Sequence, residues 1–369
     1  MTDKGRIDDG FVLIKKDKIE KVGTMDLCPK FNEEDVIDAK SMSLFPGFID
    51  AYTSVGVSSN TCFCQNKNIE SNIDISKLVA PEIRTLDSVN LEDNSFKEAL
   101  FSGVTSVVVS PFLNTEIICG QNSVIKTYGK KIEDMTLNPL SAINFSLNNL
   151  HISTMSVFSI IRKELSNTQK YMEDKDFAIS DFDNCETPKY NAKHEVLNKL
   201  LKKDIPLYID ALTKSEIFTA IRAAKELSIK LTLINPFGIY SEEKELLNEN
   251  ISIIFSPFFV GKNRQNHNEI AKMPGIFAKL NVPIAITTGF PNIPISCLTF
   301  AAALALKHGM DWLEAIKSIT IYPAKICGIQ NKVGTIEESK TADLVLFEKD
   351  PLNILEKPKL IICSGKKIL

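Results

Sequence analysis

In Leu44-Phe45-Pro46-Gly47-Phe48-Ile49-Asp50-Ala51-Tyr52-Thr53-Ser54-Val55-Gly56, a Pro-Gly pair leads into an apolar run that carries Asp50, Tyr52 and Ser54 toward its end. Upstream, residues 11–15 and 18–23 are two β-rich runs flanking the polar pair Lys16-Asp17, which predicts a hairpin. Short strands of the same kind return only at the far end, at 342–347 and 359–363, joined by the turn Asp350-Pro351-Leu352. N- and C-terminal segments are therefore expected to share one sheet. Downstream of Gly56, apolar runs at 104–109, 205–210, 231–234, 251–255 and 283–288 alternate with helical patterns. Near-continuous apolar strands separated by helices predict a parallel sheet covered on both faces. One such helix is expected over 215–227, with Ile217, Ala220, Ile221, Ala224 and Leu227 on one face and Ser215 as its cap, and two more over 301–308 and 312–319. Residues 144–188 mix Asn, Ser, Asp and Lys with short apolar runs such as 157–161, and read as a shortened barrel segment with a loop.

At 369 residues the chain exceeds one ordinary core and suits a barrel of about 250 residues with an appended layer. Hydrophobic residues at 44% and charged residues at 24% exclude disorder and coiled coil. Lys plus Arg (43) nearly balances Asp plus Glu (46), so neither nucleic acid nor an anionic membrane is an expected partner. The apolar stretch 297–306 is far short of the roughly 20 residues of a membrane span, and Met1-Thr2-Asp3-Lys4-Gly5 has no signal-peptide core, so a cytoplasmic protein is expected. Eight scattered cysteines, with only Cys62 and Cys64 close together, form neither a disulfide framework nor a zinc-finger spacing; most read as small buried hydrophobes. No internal repeat and no Gly-rich phosphate loop is present.

The quoted stretch resembles the first barrel strand of the amidohydrolase superfamily, where a Pro-Gly-hydrophobic-Ile-Asp segment runs into a His-x-His metal pair. Ile321-Tyr322-Pro323-Ala324-Lys325-Ile326-Cys327-Gly328, Val333-Gly334-Thr335-Ile336-Glu337 and Thr341-Ala342-Asp343-Leu344-Val345 resemble that family's closing helix and its return into a small sandwich. Pro81-Glu82-Ile83-Arg84-Thr85-Leu86-Asp87, Cys119-Gly120-Gln121, Val124-Ile125-Lys126-Thr127-Tyr128-Gly129 and Ala285-Ile286-Thr287-Thr288 are similar to bacterial imidazolonepropionase-like members. The resemblance implies an α/β fold. A TIM-like (β/α)8 barrel over 44–329 would be carried on a composite β-sandwich from 1–43 and 330–369. Family members usually begin with one more strand, so this chain is expected either to lack it or to start late.

The family's reaction uses one or two divalent metals, usually zinc, at the C-terminal ends of barrel strands to make a hydroxide that attacks an amide or related carbonyl. The resemblance places the first His-x-His on Tyr52 and Ser54, a second-site histidine on Asp210 or Leu212, another on Asn235, and the aspartate that is ligand and proton acceptor on Gly289. Lys126 and Asn148 are the nearest candidates for the bridging ligand. Zinc draws about four ligands from His, Cys and carboxylate, and at these positions only Asp210 still qualifies. No resident metal or other cofactor is therefore expected. Tyr52, Ser54, Asn235 and Thr288 put neutral hydrogen-bonding groups at or beside the ligand positions, which leaves either a polar pocket or a mouth filled by side chains and water.

Only four histidines, His151, His194, His267 and His308, could rebuild a site. His194 and His308 lie in helical patterns expected to face outward, whereas His267 follows the 251–255 strand and could reach the mouth. Asp50 and Asp210 could share acid and base roles without metal, although Asp50 also reads as a structural, hydrogen-bonded carboxyl. Two functions stay open. One is a protein without metal-hydroxide catalysis that binds a small molecule or a protein, as a homo-oligomer or beside an active paralogue. The other is a hydrolase of carbon-nitrogen bonds in a small cyclic amide, with a rebuilt or metal-free site whose candidate groups are Asp50, Asp210 and His267.

Overall fold

The computed structural model describes residues 5–30, 36–57, 79–111, 117–147, 153–180, 187–240, 242–246, 251–257 and 267–369, with His267 described in its backbone only. Strands β1 (Gly10–Lys15) and β2 (Lys18–Thr24) form the expected antiparallel hairpin. They make a two-stranded sheet of their own, while β3 (Ser43–Pro46) joins β12 (Leu344–Phe347), β13 (Leu360–Cys363) and β14 (Lys366–Lys367) in a four-stranded one. Chain termini thus meet through β3, and the hairpin packs on that sheet: Ile19, Val12, Ile14 and Val22 share a core with Ile336, Leu344, Leu346, Leu360 and Ile362.

The chain crosses from β3 into the barrel at Gly47. An added Cβ there would lie 2.0 Å from Thr105 Oγ1 and 2.6 Å from its Cγ2, so only glycine lets β4 (Phe48–Thr53) lie against β5 (Val104–Val109). Gly47→Ala should cost about 1–3 kcal/mol through overpacking, read as a lower denaturant midpoint; an unchanged midpoint would mean that Thr105 turns away freely.

Eight strands form the barrel: β4, β5, β6 (Ile118–Lys126), β7 (Thr136–Ser146), β8 (Leu207–Asp210), β9 (Leu231–Ile234), β10 (Ile251–Phe255) and β11 (Ile284–Ile286), in that spatial order. The predicted apolar runs all become strands, but the sheet is not wholly parallel, because β6 runs antiparallel to both β5 and β7. Residues 110–117 and 127–135 are too few for the crossover that a parallel neighbour needs, so the chain can only turn back on itself. The upper half of β6 extends beyond β5 and is bridged instead by residues 79–84, through Val79 to Ile118 and Arg84 to Gln121.

Alternation along the strands separates two cores. Ile49, Ala51, Val108, Val124, Ala142, Tyr208, Ile234, Ile254 and Ala285 point inward and are met from one end by Ala324, Ile326 and Cys327 of the α9 region (α9, Ile321–Ile326). Phe48, Val107, Ile143, Phe145, Ile209, Leu233, Phe255 and Ile286 point outward into the covering helices. Those include α1 (Asn94–Phe101), α3 (Thr154–Ser180), α4 (Ala192–Leu201), α5 (Lys214–Glu226), α6 (His267–Lys279), α7 (Leu298–Lys307) and α8 (Trp312–Lys317), with a single turn α2 (Ile132–Met135) between β6 and β7.

Three helix expectations change. The start of α5 is set by Thr213 rather than Ser215: Thr213 Oγ1 accepts from Glu216 N at 3.3 Å while Glu216 Oε2 accepts from Thr213 N at 2.9 Å, a reciprocal cap. The helix expected over 301–308 begins earlier, at Leu298. The stretch 144–188 holds the end of β7 and the 27-residue helix α3, buried through Val157, Phe158, Ile161 and Leu165.

Candidate functional site at the barrel mouth

The C-terminal ends of β4 and β8 to β11 open on one side of the barrel, and the reversed direction of β6 brings its start to the same side. Along β8, Leu207 and Ile209 face the outer core, so Tyr208 and Asp210 face the interior, Asp210 at the rim. Tyr52, from the end of β4, packs against the inner core and is half-buried. Burial pushes its phenol well above its ordinary value, and the charges of Asp210 and Cys119 add to the rise. Asp210 and Cys119 thus lie near enough to act on Tyr52, whose phenol stays protonated. Cys119 sits beside Gly120, whose φ of +114 and close approach to the Ile83 carbonyl require glycine.

Below this rim lies a buried amide pair. Asn122 Nδ2 donates to Asn144 Oδ1 at 3.0 Å, leaving Asn122 Oδ1 and Asn144 Nδ2, like Ser110 Oγ, without partners among the described residues. An unspent acceptor and donor side by side inside a barrel are costly, on the order of 1–3 kcal/mol each, and mark a polar interior. The sequence reading missed Cys119, Asn122 and Asn144. Their signal was the Cys119-Gly120-Gln121 motif, but its place at the mouth depends on the direction of β6.

The other expected residues divide. Ser54 is buried beside the seam, its N–H donating to Phe290 O at 2.9 Å. Gly289 has φ +64, and among the described residues no atom beyond its chain neighbours lies within 4 Å of where a Cβ would stand, so there is open space at this rim position. Asn235 adopts φ +49, and its Oδ1 accepts from Ser256 N at 2.8 Å; its oxygen ties β9 to β10 instead of facing a ligand. Thr288 Oγ1 is likewise spent, on Asp50 at 2.6 Å.

Asp50 does not join Asp210 as an acid-base partner. Its carboxyl is fully buried in the seam between β4 and β11, bound by Thr287 and Thr288, and Asp210 is not among the groups that act on it. Lys126 lies at the opposite end of the barrel, because β6 is antiparallel and ends where β5 begins. There it pairs with Asp343 and cannot bridge metals at the mouth. His194 bonds Thr168 Oγ1 and stacks on Tyr171 in the outer layer. Cys62, Cys64, Asn148, His151 and the side chain of His267 lie outside the described residues.

The family's metal does not fit the groups at the positions the resemblance assigns to its ligands: a protonated phenol, a hydroxyl, one carboxylate, an amide with its oxygen engaged, and a glycine. Among the described residues, no three His, Cys, Asp or Glu side chains converge on a point.

The amidohydrolase family profile matches residues 158–368, more than half of the chain. The chain belongs to the amidohydrolase family. It is similar to the imidazolonepropionase of Alkaliphilus metalliredigens (strain QYMF), 23% identical over an alignment 428 positions long that covers 98% of this chain and 92% of that protein. It is also similar to the imidazolonepropionase of Picrophilus torridus, 25% identical, covering 93% of this chain and 88% of that one. Among solved structures it superposes on an amidohydrolase from Thermotoga maritima with a TM-score of 0.85 at 26% identity, over 97% of this chain and 94% of the other. This amidohydrolase therefore keeps its family's architecture along nearly its whole length. Among the described residues, no helix is long and apolar enough to cross a membrane.

Proposed function

We propose that this amidohydrolase holds a small, neutral, hydrogen-bonding molecule at the barrel mouth and does not carry out metal-hydroxide hydrolysis. The reading is supported by the mouth itself, where the resemblance assigns the family's ligand positions to Tyr52, Ser54, Asp210, Asn235 and Gly289, whose groups are a protonated phenol, a hydroxyl, one carboxylate, an engaged amide and a glycine. A metal-bound water reaches a pKa near 7, and without that Lewis acid the barrier to amide attack rises by several kcal/mol. Gly289 removes the proton acceptor as well. What remains suits a neutral ligand: a protonated phenol, one carboxylate at the rim, and the unspent amide atoms of Asn122 and Asn144. In this reading the protein acts in the cytoplasm, as a homo-oligomer or beside an active paralogue.

The alternative, a hydrolase of non-peptide carbon-nitrogen bonds in a small cyclic amide, is favoured by the nearly full-length similarity to two imidazolonepropionases. It requires ligands from His151 or His267 to reach Asp210. Hydrolysis of cyclic amides and imides, assayed with added zinc or manganese, distinguishes the two readings. Turnover no faster than buffer supports binding without catalysis; zinc-dependent turnover abolished by Asp210→Ala supports the hydrolase.

A further inference from the structure

The seam that closes the barrel between its first and last strands is not an ordinary strand ladder. Ile49 N–H donates to Ile319 O and Ile286 N–H to Ser318 O, so both strands lean on residues 318–319; beyond the strands Ser54 N–H donates to Phe290 O, and at the level of Asp50 the direct link runs through side chains. Thr287 Oγ1 meets three groups there: the Asp50 carboxyl, the Tyr52 carbonyl at 2.8 Å and Gly289 N–H at 3.1 Å. A hydroxyl has one hydrogen to give and two lone pairs to receive with. Gly289 N–H takes one lone pair, and the Tyr52 carbonyl can only accept, so it takes the hydrogen. The remaining contact is then a hydrogen bond only if Asp50 supplies a hydrogen of its own.

We propose that Asp50 is held as a neutral carboxylic acid which donates its hydrogen to Thr287 Oγ1, a latch that closes the seam and fixes Tyr52 and Gly289 at the mouth. The other carboxyl oxygen accepts from Thr288 Oγ1 at 2.6 Å and Thr288 N at 3.2 Å, and Thr288 Oγ1 in turn accepts from Phe290 N at 3.2 Å. With that hydrogen placed, no contact of the latch sets acceptor against acceptor; Thr288 N also reaches the first carboxyl oxygen, at 3.4 Å, and the Tyr52 backbone N–H donates to the carboxyl as well. Burial supports this state: it pushes the carboxyl up to about 6, against the pull of the bonds it accepts, and a Thr287 hydrogen committed to Tyr52 no longer opposes the rise.

No charged side chain is among the groups acting on the Asp50 carboxyl. On β4 the titratable neighbour is Tyr52, which stays protonated and is not a metal ligand; facing Asp50 on β5 is Val107. Thr287 and Thr288 extend β11. Of the helices packed on β11, α6 carries the exposed pair Lys272–Glu269 and exposed Lys279, α7 carries exposed Lys307, and the α9 region carries Tyr322, bound to Glu314, exposed Lys325, and Cys327, whose thiol burial pushes up to about 12.

Asp50→Asn mimics the neutral acid, with Nδ2 donating to Thr287 and Oδ1 accepting from Thr288. Because the folded value is raised above the ordinary 3.8, the latch's contribution is fully present below that value and lost as pH rises through about 6. Wild type should therefore show an infrared carboxylic-acid carbonyl band at about pH 5 that D50N lacks, and its melting temperature should fall relative to D50N between about pH 5 and pH 8. Absence of the band, together with D50N melting below wild type across that range, would show an ionised acceptor and overturn the latch. Should D50N not fold, Thr287→Ala provides the test: loss of its acceptor should move the band to higher frequency, and an unmoved or absent band counts against the proposal.

Discussion

Replacing Lys126 by alanine is expected to cost about 3–5 kcal/mol of unfolding free energy, by leaving a buried carboxylate without its counter-charge. Lys126 Nζ donates to both carboxylate oxygens of Asp343 and to Ser364 Oγ, each at 2.8 Å, and the two charged side chains are only 5% and 3% exposed. Asp343 also accepts from Ser364 N at 2.8 Å, and its own carbonyl accepts from Gly47 N–H. The pair therefore joins the end of β6 to the approach to β12, the turn after β13 and the entry to β4. Cys363 lies in the same cluster, its thiol pushed up by burial first and by Asp343 second. Replacing Asp343 by alanine together with Lys126 should recover much of the loss, since no lone charge then remains. A denaturant series on the three proteins measures this. A loss for Lys126→Ala under about 1 kcal/mol, the scale of exposed pairs, would show that water reaches the cluster.

Tyr208→Ala should cost a comparable amount, about 3–5 kcal/mol, because the ring is a fully buried wedge inside the barrel with nothing free to collapse into its place. It packs with Val124, Ala142, Ile234, Ile254 and the Ala324–Cys327 stretch that closes the barrel from below. Its hydroxyl has a weak partner, Cys327 Sγ at 3.5 Å, so Tyr208→Phe should cost little, under about 1 kcal/mol. Thermal melts of the two variants separate volume from hydrogen bonding. A Tyr208→Phe loss as large as the alanine loss would mean that the hydroxyl, rather than the ring, carries the stability.

The barrel was legible where side chains repeat the pattern that burial on both faces demands. Residues 231–234 and 251–255 are apolar throughout or nearly so, and became β9 and β10 without shift. β6 was not legible as a strand from its own residues, because its inner face carries Asn122 and its outer face Gln121 and Ser123, bonded to residues 81–85 rather than packed in oil. The same hidden reversal explains why Lys126 was expected at the mouth and lies at the far end, and why Cys119 was not expected at the mouth. α3 was obscured by its polar surface, since only one narrow stripe is buried along most of its length. At the site, Tyr52, Ser54, Asp210, Asn235 and Gly289 were singled out by the family resemblance alone. What they do with their atoms was not in the sequence: the Asn235 oxygen is claimed by a neighbouring backbone amide, and Asp50 turns into the seam instead of toward Asp210.

Elemental analysis of tag-free protein purified without chelator tests the account most directly. Zinc, iron, manganese and nickel together should be present far below one atom per chain, and should remain so after incubation with each metal and desalting. A stable stoichiometry near one, lowered by Asp210→Ala or His267→Ala, would contradict it and place a working metal centre at this mouth.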